Sequence, residues 1–510
     1  MHVLLSGATG YLGRHLLARW LADGHRVTAL VRGGERARLL AALAPFALPP
    51  TLTEPARLRV VACDLTTAAD ELARALRSDA PAAFVHAAGL TRFDAHLAAE
   101  LDAHNLRGTQ VAWTLACALG IPVFHHLSTA YAAGCARTRF GATEFDVGQR
   151  FNNPYEASKF AAERWLRDAA VAGAPRLVVH RPSIVVGGHP IGADQSVSTL
   201  YTFMKAVQFL RAYALRDGPR GDGTPLPRDA RSDDYCHVPV RVAADPASTV
   251  NLVAIEDVVD GLDEALGAAP AVGAVETRQL TGHDYRIDDI ERAITTTLRV
   301  SGVRLVEATA FDSSPRSALE AQFHRITRVY APYLFASPCF APRPAARRVD
   351  PAQLTRDYLA QDAGRRAAKR RTREAPQLAG LALGALGITQ ARDYFAALCD
   401  GAVGRDFLAR HDYVDATVGF RLRGPAPCEV TLHFDRGRVT PADARNVDCR
   451  YELDAALFMR IVHGETDLRA AFLAGKVRIT GNVELALKFG ALLGFYYGRL
   501  DEHLVEELSA

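Results

Sequence analysis

His2-Val3-Leu4-Leu5-Ser6-Gly7-Ala8-Thr9-Gly10-Tyr11-Leu12-Gly13 is the stretch whose reading decides the fold. Residues 2–6 form a short apolar run, and residues 13–23 continue as an amphipathic stretch. The segment therefore reads strand, tight turn, helix. Gly7, Gly10 and Gly13 recur at every third position across the turn. A lone glycine triplet is a weak signal, but between a strand and a helix it is a strong one. Glycine lets the backbone turn sharply and approach a pyrophosphate, and the helix N-terminus presents free N–H groups to the anion. Gly7, Thr9, Gly10, Tyr11, Leu12 and Gly13 are thus candidate dinucleotide contacts.

Strands are expected over 26–31, 58–62, 82–86, 123–127 and 177–180, with helical patterns between them. That alternation predicts an α/β fold with a Rossmann-type, doubly wound parallel sheet. Residues 33–57 make an unusually long crossover. Beyond residue 185 the alternation breaks, and Pro and Gly between 187 and 230 suggest a substrate-binding cap. A strand-helix unit returns over 250–266.

Cofactor choice follows from the end of the second strand, where an NAD enzyme usually carries a carboxylate for the ribose hydroxyls. Here it ends Val31-Arg32-Gly33-Gly34, with no acid before Glu35. Arg32 suits a 2′-phosphate, which predicts NADPH (NADP). Asp64 and Leu65, after the third strand, are placed for the adenine.

Tyr155-Glu156-Ala157-Ser158-Lys159 sets a phenol and an ammonium four residues apart, on one helix face. A nearby cation is expected to favour the phenolate and bring Tyr155 toward the working range of a proton donor. Lys159 also suits the nicotinamide ribose. In Ser128-Thr129-Ala130-Tyr131, Thr129 is preferred over Ser128 as the hydroxyl aimed at a reacting carbonyl. Asn105, in mid-helix, is a candidate to hold a water or a backbone bend near Lys159.

With these residues assembled, roughly the first 350 residues resemble extended short-chain dehydrogenases. Within them the chain resembles the thioester reductases and fatty acyl-CoA reductases, the male-sterility group. The matching segments are His86-Ala87-Ala88-Gly89-Leu90-Thr91-Arg92-Phe93-Asp94, Ser128-Thr129-Ala130-Tyr131-Ala132-Ala133-Gly134 and Arg181-Pro182-Ser183-Ile184-Val185-Val186-Gly187. Ala331-Pro332-Tyr333-Leu334-Phe335 is loosely similar to the end of that group. The resemblance implies that Ala87, Pro182, Ser183 and Ile184 border the nicotinamide cofactor, and that Asn105, Thr129, Tyr155 and Lys159 form the catalytic group.

From residue 390 the pattern changes. Residues 416–423 and 429–434 alternate apolar and polar side chains, as half-buried antiparallel strands do. Helical stretches follow over 454–463 and 467–474, then a strand over 476–480 and a last helix from 483. Residues 390–500 resemble the sterol carrier protein type-two fold, chiefly over Asp467 to Lys488. That resemblance implies an α+β lipid-binding domain, with Phe472, Leu485, Phe489, Leu492 and Phe495 lining a cavity. The expected domains are 1–345, a basic linker over 346–389, and 390–510. Six basic residues fall within Arg365–Arg373. They read as a solvated helix or tether, or as a contact for a phosphorylated ligand or an anionic membrane surface.

Bulk properties exclude other classes. The 510 residues are 49% hydrophobic and 23% charged, ordinary for globular protein. A net charge of +3 is too small for a nucleic-acid partner. The eight cysteines form no CxxC pair, which disfavours a metal site or disulfide framework and fits a reducing, cytoplasmic compartment. No basic n-region or cleavage site precedes the first strand, so no signal peptide is expected.

The reading that follows is an NADPH-dependent reductase of fatty acyl thioesters, carried on CoA or acyl carrier protein. A long acyl chain needs an apolar shelter, which this reading assigns to the tail. Two rivals stand beside it: a dehydrogenase of a sterol-like hydroxyl or keto group, and a lipid carrier with a vestigial reductase domain.

Overall fold

A computed structural model describes residues 1–34, 36–65, 70–77, 81–136, 138–171, 174–188, 199–217, 235–267, 275–312, 315–335, 338–373, 388–401, 415–445, 447–463, 466, 468–482 and 485–486. The chain divides into two compact units, Met1–Gln361 and Asp362–Ala510.

The first unit is built on a seven-stranded sheet. Its strands are β1 (His2–Ser6), β2 (Arg26–Val31), β3 (Leu58–Ala62), β4 (Ala83–His86), β5 (Val123–Leu127), β6 (Arg176–Pro182) and, later in the chain, Val275–Leu280. The spatial order is the last strand, then β6, β5, β4, β1, β2 and β3, all parallel. The chain order reverses between β1 and β4. A doubly wound sheet opens its ligand crevice at that switch point, beyond the carboxyl ends of the strands. Helix α1 (Tyr11–Ala22) packs Leu16, Leu17, Trp20 and Leu21 on one face of the sheet. Helices α2 (Gly108–Ala118) and α3 (Pro154–Ala169) follow β4 and β5.

Beyond β6 the chain forms a cap. Strand β7 (Ile184–Val186) pairs in parallel with β9 (Thr249–Ala254), while β8 (Cys236–Ala243) pairs with a strand at Val300–Val306. Helices α4 (Thr199–Asp217) and α5 (Ile287–Leu298) close over them. Their apolar faces form a core separate from that beneath α1.

The second unit has its own five-stranded sheet. Ala416–Arg423 pairs antiparallel with Cys428–Asp435, as its alternation predicted, and parallel with Cys449–Asp454. The last strand escaped the sequence reading, although Cys449, Tyr451 and Leu453 alternate inward. Residues 351–373, within the expected basic linker, form a helix. No helix among the described residues is long and apolar enough to cross a membrane.

Candidate active site

The glycine turn is built as the dinucleotide reading requires. Gly7 has φ +75°, and a Cβ there would lie 2.6 Å from the Ala87 carbonyl carbon. A Cβ at Gly13 would overlap the Gly7 carbonyl oxygen. Only glycines let α1 press this closely on the turn. Gly10 is the N-cap of α1, and no side chain caps that end. Its N–H groups are thus left for an anion. The Tyr11 hydroxyl donates to Gly187 O at 2.5 Å, tying the turn to the strand end after β7. Leu12 is buried beneath it and Thr9 is half-buried at its rim. A cradle that a Cβ would fill, facing an uncapped helix end, fits a dinucleotide pyrophosphate.

Arg32 is exposed at the end of β2, followed by Gly33 and Gly34 with φ +74° and +69°. Asp64 is exposed and Leu65 half-buried after β3, and Leu65 abuts Gly108 at the start of α2. His104, which the sequence reading passed over, joins this rim. Burial and Arg32 push its pKa down, while Glu100 and Asp64 pull it up.

The catalytic candidates converge at the carboxyl end of β5. Asn153 caps α3 by accepting from Glu156 N, and Pro154 is preset for the first turn. Tyr155 and Lys159 then follow one turn apart. The Tyr155 hydroxyl bonds to the side chains of Thr129 and Thr91. Thr129 lies at the N-cap of the 3₁₀ turn Ala130–Ala133, accepting from Tyr131 N at 3.2 Å and reaching Pro182 O at 3.4 Å. Ser128 is turned away, donating to Glu163 at 2.9 Å.

Asn105 sits fully buried in a π-helical turn, Asp102–Arg107. Its Oδ1 accepts from Leu90 N at 2.7 Å, and its Nδ2 donates to Leu90 O and to Ser158 Oγ at 3.0 and 2.9 Å. Asn105 therefore fixes the loop carrying Thr91 to the helix carrying Tyr155.

One expectation is corrected. Lys159 was to lower the Tyr155 pKa, yet burial pushes it up to about 12, against the opposing bonds from Thr129 and Thr91. The Lys159 ammonium instead donates to Leu127 O at 2.5 Å. Its own pKa falls to about 8 through burial, with Glu163 opposing. Desolvation of each group outweighs whatever attraction the spacing supplies.

Several supporting groups went unseen in the sequence. Glu163 and Arg181, both fully buried, form a two-pronged ion pair at 2.6 and 3.1 Å beneath Ser128. The remaining Arg181 donors reach Gly141 O and Glu144 O. Tyr333, from the Ala331–Phe335 segment, donates to buried Glu156 at 2.5 Å and accepts from Asn153 at 2.8 Å. The Phe93 ring lies 5.4 Å from Tyr155 and 5.8 Å from Tyr333. Pro182 and Ser183 are buried at the end of β6, and Ile184 is half-buried just beyond.

Residues 5–229 match the male sterility protein family, a nicotinamide-dinucleotide-binding family, and residues 406–494 match the SCP-2 sterol transfer family. The first match lies in the first unit and the second in the second unit. The first unit is an NAD(P)-dependent oxidoreductase. The hybrid PKS-NRPS synthetase mpsA of Macrophomina phaseolina is 34% identical over 188 residues, which are 35% of this chain and 4% of that one. The non-ribosomal peptide synthetase CmlP of Streptomyces venezuelae is 30% identical over 193 residues, 37% of this chain and 18% of that one. The chain thus spans only a small part of these relatives. Among solved structures, the terminal R domain from the myxalamid PKS-NRPS biosynthetic pathway shares the fold, with TM-score 0.54 and 18% identity over 71% of this chain and 90% of that one.

In the second unit, Phe472 and Leu485 are half-buried against the core. Phe489, Leu492 and Phe495 lie outside the described residues.

Proposed function

We propose that the chain is an NADPH-dependent reductase of fatty acyl thioesters, with a tail that binds the lipid. The observation that carries this reading is the buried Tyr155 hydroxyl set against the side chains of Thr129 and Thr91, one helical turn before Lys159. A bound nicotinamide supplies the hydride. As it adds to the thioester carbonyl carbon, negative charge develops on the oxygen. Tyr155, still protonated, donates its proton there, and Thr129 steadies the phenol. The hemithioacetal then loses its thiol by C–S cleavage and leaves an aldehyde. The terminal R domain among the structural relatives and the synthetases among the sequence relatives favour a thioester on CoA or a carrier protein. The SCP-2 unit favours a long aliphatic chain over a polar peptide.

The test is NADPH oxidation followed across acyl-CoA, acyl carrier protein and sterol substrates, with aldehyde trapped as product. Turnover of a sterol-like alcohol or ketone alone selects the rival dehydrogenase. No turnover of any of them leaves the carrier reading.

Arg32 is the proposed reader of the 2′-phosphate, with Asp64 and Leu65 beside the adenine. Arg32→Asp is expected to weaken NADPH binding at least tenfold more than NADH binding, the scale of a lost charged hydrogen bond. A wild-type protein that binds NADH more tightly than NADPH sinks the assignment.

The Lys159 pKa of about 8 sets a pH limit. Below it the ammonium is present to hold the ribose and the Leu127 carbonyl; above it the charge is lost. Tyr155, near 12, keeps its proton throughout. We expect kcat/KM to fall as pH rises through about 8, and Lys159→Arg to remove that limb. A flat profile to pH 10 takes the charge of Lys159 out of catalysis.

The tail is expected to bind a fluorescent fatty acid saturably. A chain ending at residue 373 is expected to keep NADPH binding and to bind that probe more weakly than the full chain. Equal binding by both removes the tail from lipid capture.

A further inference from the structure

Glu156 is a buried carboxylate whose described partners are hydrogen-bond donors rather than cations. It follows Tyr155 by one position on α3, so its side chain leaves the helix about 100° round from the phenol. It is fully buried, and a carboxylate out of water is costly unless donors surround it. Tyr333 donates to it at 2.5 Å, Asn152 N at 2.8 Å and Asn152 Nδ2 at 3.2 Å. Burial pushes the Glu156 pKa up, and these bonds pull it down. Burial, with Glu156 beside it, raises the Tyr333 pKa well above its usual value, so that phenol keeps the proton it gives to the bond.

Capping explains part of this arrangement. Asn153 accepts from Glu156 N, and Glu156 reaches back to Asn152 N, so the first turn of α3 is closed by its own neighbours. Capping does not call for Tyr333, which arrives 177 positions later on the turn Arg328–Leu334. Its hydroxyl donates to Glu156 and also accepts from Asn153 Nδ2 at 2.8 Å. Tyr155 stands between those two residues in the sequence. The Tyr333 ring meets the other two segments of the site. It lies 5.8 Å from Phe93, which follows Thr91 by two positions. It stands edge-on to Tyr131 at 5.2 Å, two positions past Thr129. Thr91, Thr129 and Tyr155 are the hydroxyls that come together. One buried side chain thus touches all three segments that carry them.

We propose that Tyr333 is a positioning residue for the reduction: with Glu156 as its partner, it fixes Tyr155 in the setting from which the phenol meets the substrate oxygen. The inference rests on the thioester reading above and adds to it a residue far outside the local motifs. A general acid must lie within hydrogen-bond reach of the oxygen it serves, and a misplacement of about 1 Å can cost about 100-fold. The bond from Tyr333 removes that freedom where α3 begins.

The test uses the full-length protein. Tyr333→Phe removes one oxygen and keeps the ring against Phe93 and Tyr131. Glu156→Gln keeps the size and removes the charge. In each, kcat for a thioester is expected to fall about tenfold or more, the scale of a hydrogen bond to a charged group, while KM and the NADPH Kd stay within twofold. The double variant is expected to be no slower than the slower single one, because both changes break one bond. A fluorotyrosine placed at position 155 reports the setting of the ring. Its fluorine resonance is expected to be single in the parent protein and to broaden or divide in both variants. NADPH binding checks folding, and either variant that folds carries the test. Unchanged kcat, a loss confined to KM, or effects that multiply in the double variant overturn the proposal. So does a slowed variant whose resonance stays single, since Tyr333 then acts on the chemistry and not on position. If the wild type reduces no thioester, the thioester reading falls and the resonance alone decides. Divided in the variants, it leaves the positioning role standing; unchanged, it removes that role too.

Discussion

Tyr155→Phe is expected to cut turnover by about 100-fold or more, the scale of general acid catalysis, while NADPH affinity stays nearly intact. The substitution removes one oxygen and keeps the ring, so the packing on Phe93 at 5.4 Å survives. What is lost is the proton donor held by Thr129 and Thr91. Because burial keeps that phenol protonated to about pH 12, it meets the developing oxyanion as a full donor at neutral pH. A low-dielectric surround makes such a donor worth more than in water, since the charge has no solvent to fall back on. Thr129→Val is expected to have a smaller effect in the same direction, because Thr91 still holds the phenol. The measurement is kcat by NADPH absorbance beside Kd for NADPH by fluorescence. Unchanged kcat in Tyr155→Phe removes the residue from the chemistry; a matching loss of NADPH affinity recasts it as a binding residue.

Much of this site was legible because its signals are local. The glycine spacing, the end of β2 and the Tyr155–Lys159 interval each lie within one turn or one strand end. The same locality explains what escaped. Phe93, Glu156 and Tyr333 meet across 240 and 177 positions of sequence in steps that no period announces. Glu163 and Arg181 are ordinary charged residues until a helix and a strand enclose them. The pKa of Tyr155 was misjudged for a related reason. Spacing shows which groups are neighbours, but desolvation depends on everything packed around them. In the tail, Cys449–Asp454 shows the inward alternation of a strand, yet its place beside Ala416–Arg423 depends on a parallel pairing that needs the whole sheet.

The first unit is expected to unfold steeply as pH falls below about 6, because its central sheet buries four neutral histidines. A parallel sheet covered on both faces usually carries aliphatic runs. Here His86, His125, His126 and His180 sit in β4, β5 and β6, each at most 1% exposed. His125 and His180 bond to each other at 3.0 Å, and His86 bonds to Ser6 and Thr109 at 2.8 and 3.1 Å. Neither ring nitrogen of His126 meets a hydrogen-bond partner among the described residues. Burial drives all four pKa values down, His86 and His125 to about 3, with Lys159 adding to the effect on His86 and His126. The folded state thus binds no proton on these rings at pH 5, whereas the unfolded chain, near 6.5, binds one on each. Stability is complete above about 6.5 and is lost as pH falls toward the folded values. With four such groups the slope approaches ~5 kcal/mol per pH unit, comparable to the whole stability of many domains. All three tryptophans, Trp20, Trp113 and Trp165, lie in the first unit, so urea unfolding followed by their fluorescence reports on it alone. The urea midpoint should drop sharply between pH 6.5 and 5. His126→Leu should lessen that slope by about one proton in four. It should also raise stability at pH 7, since a buried polar group without a partner costs about 1–3 kcal/mol. A wild-type midpoint that stays level from pH 7 to 5 means these rings take up protons inside the folded sheet, and the unpartnered state of His126 is then wrong.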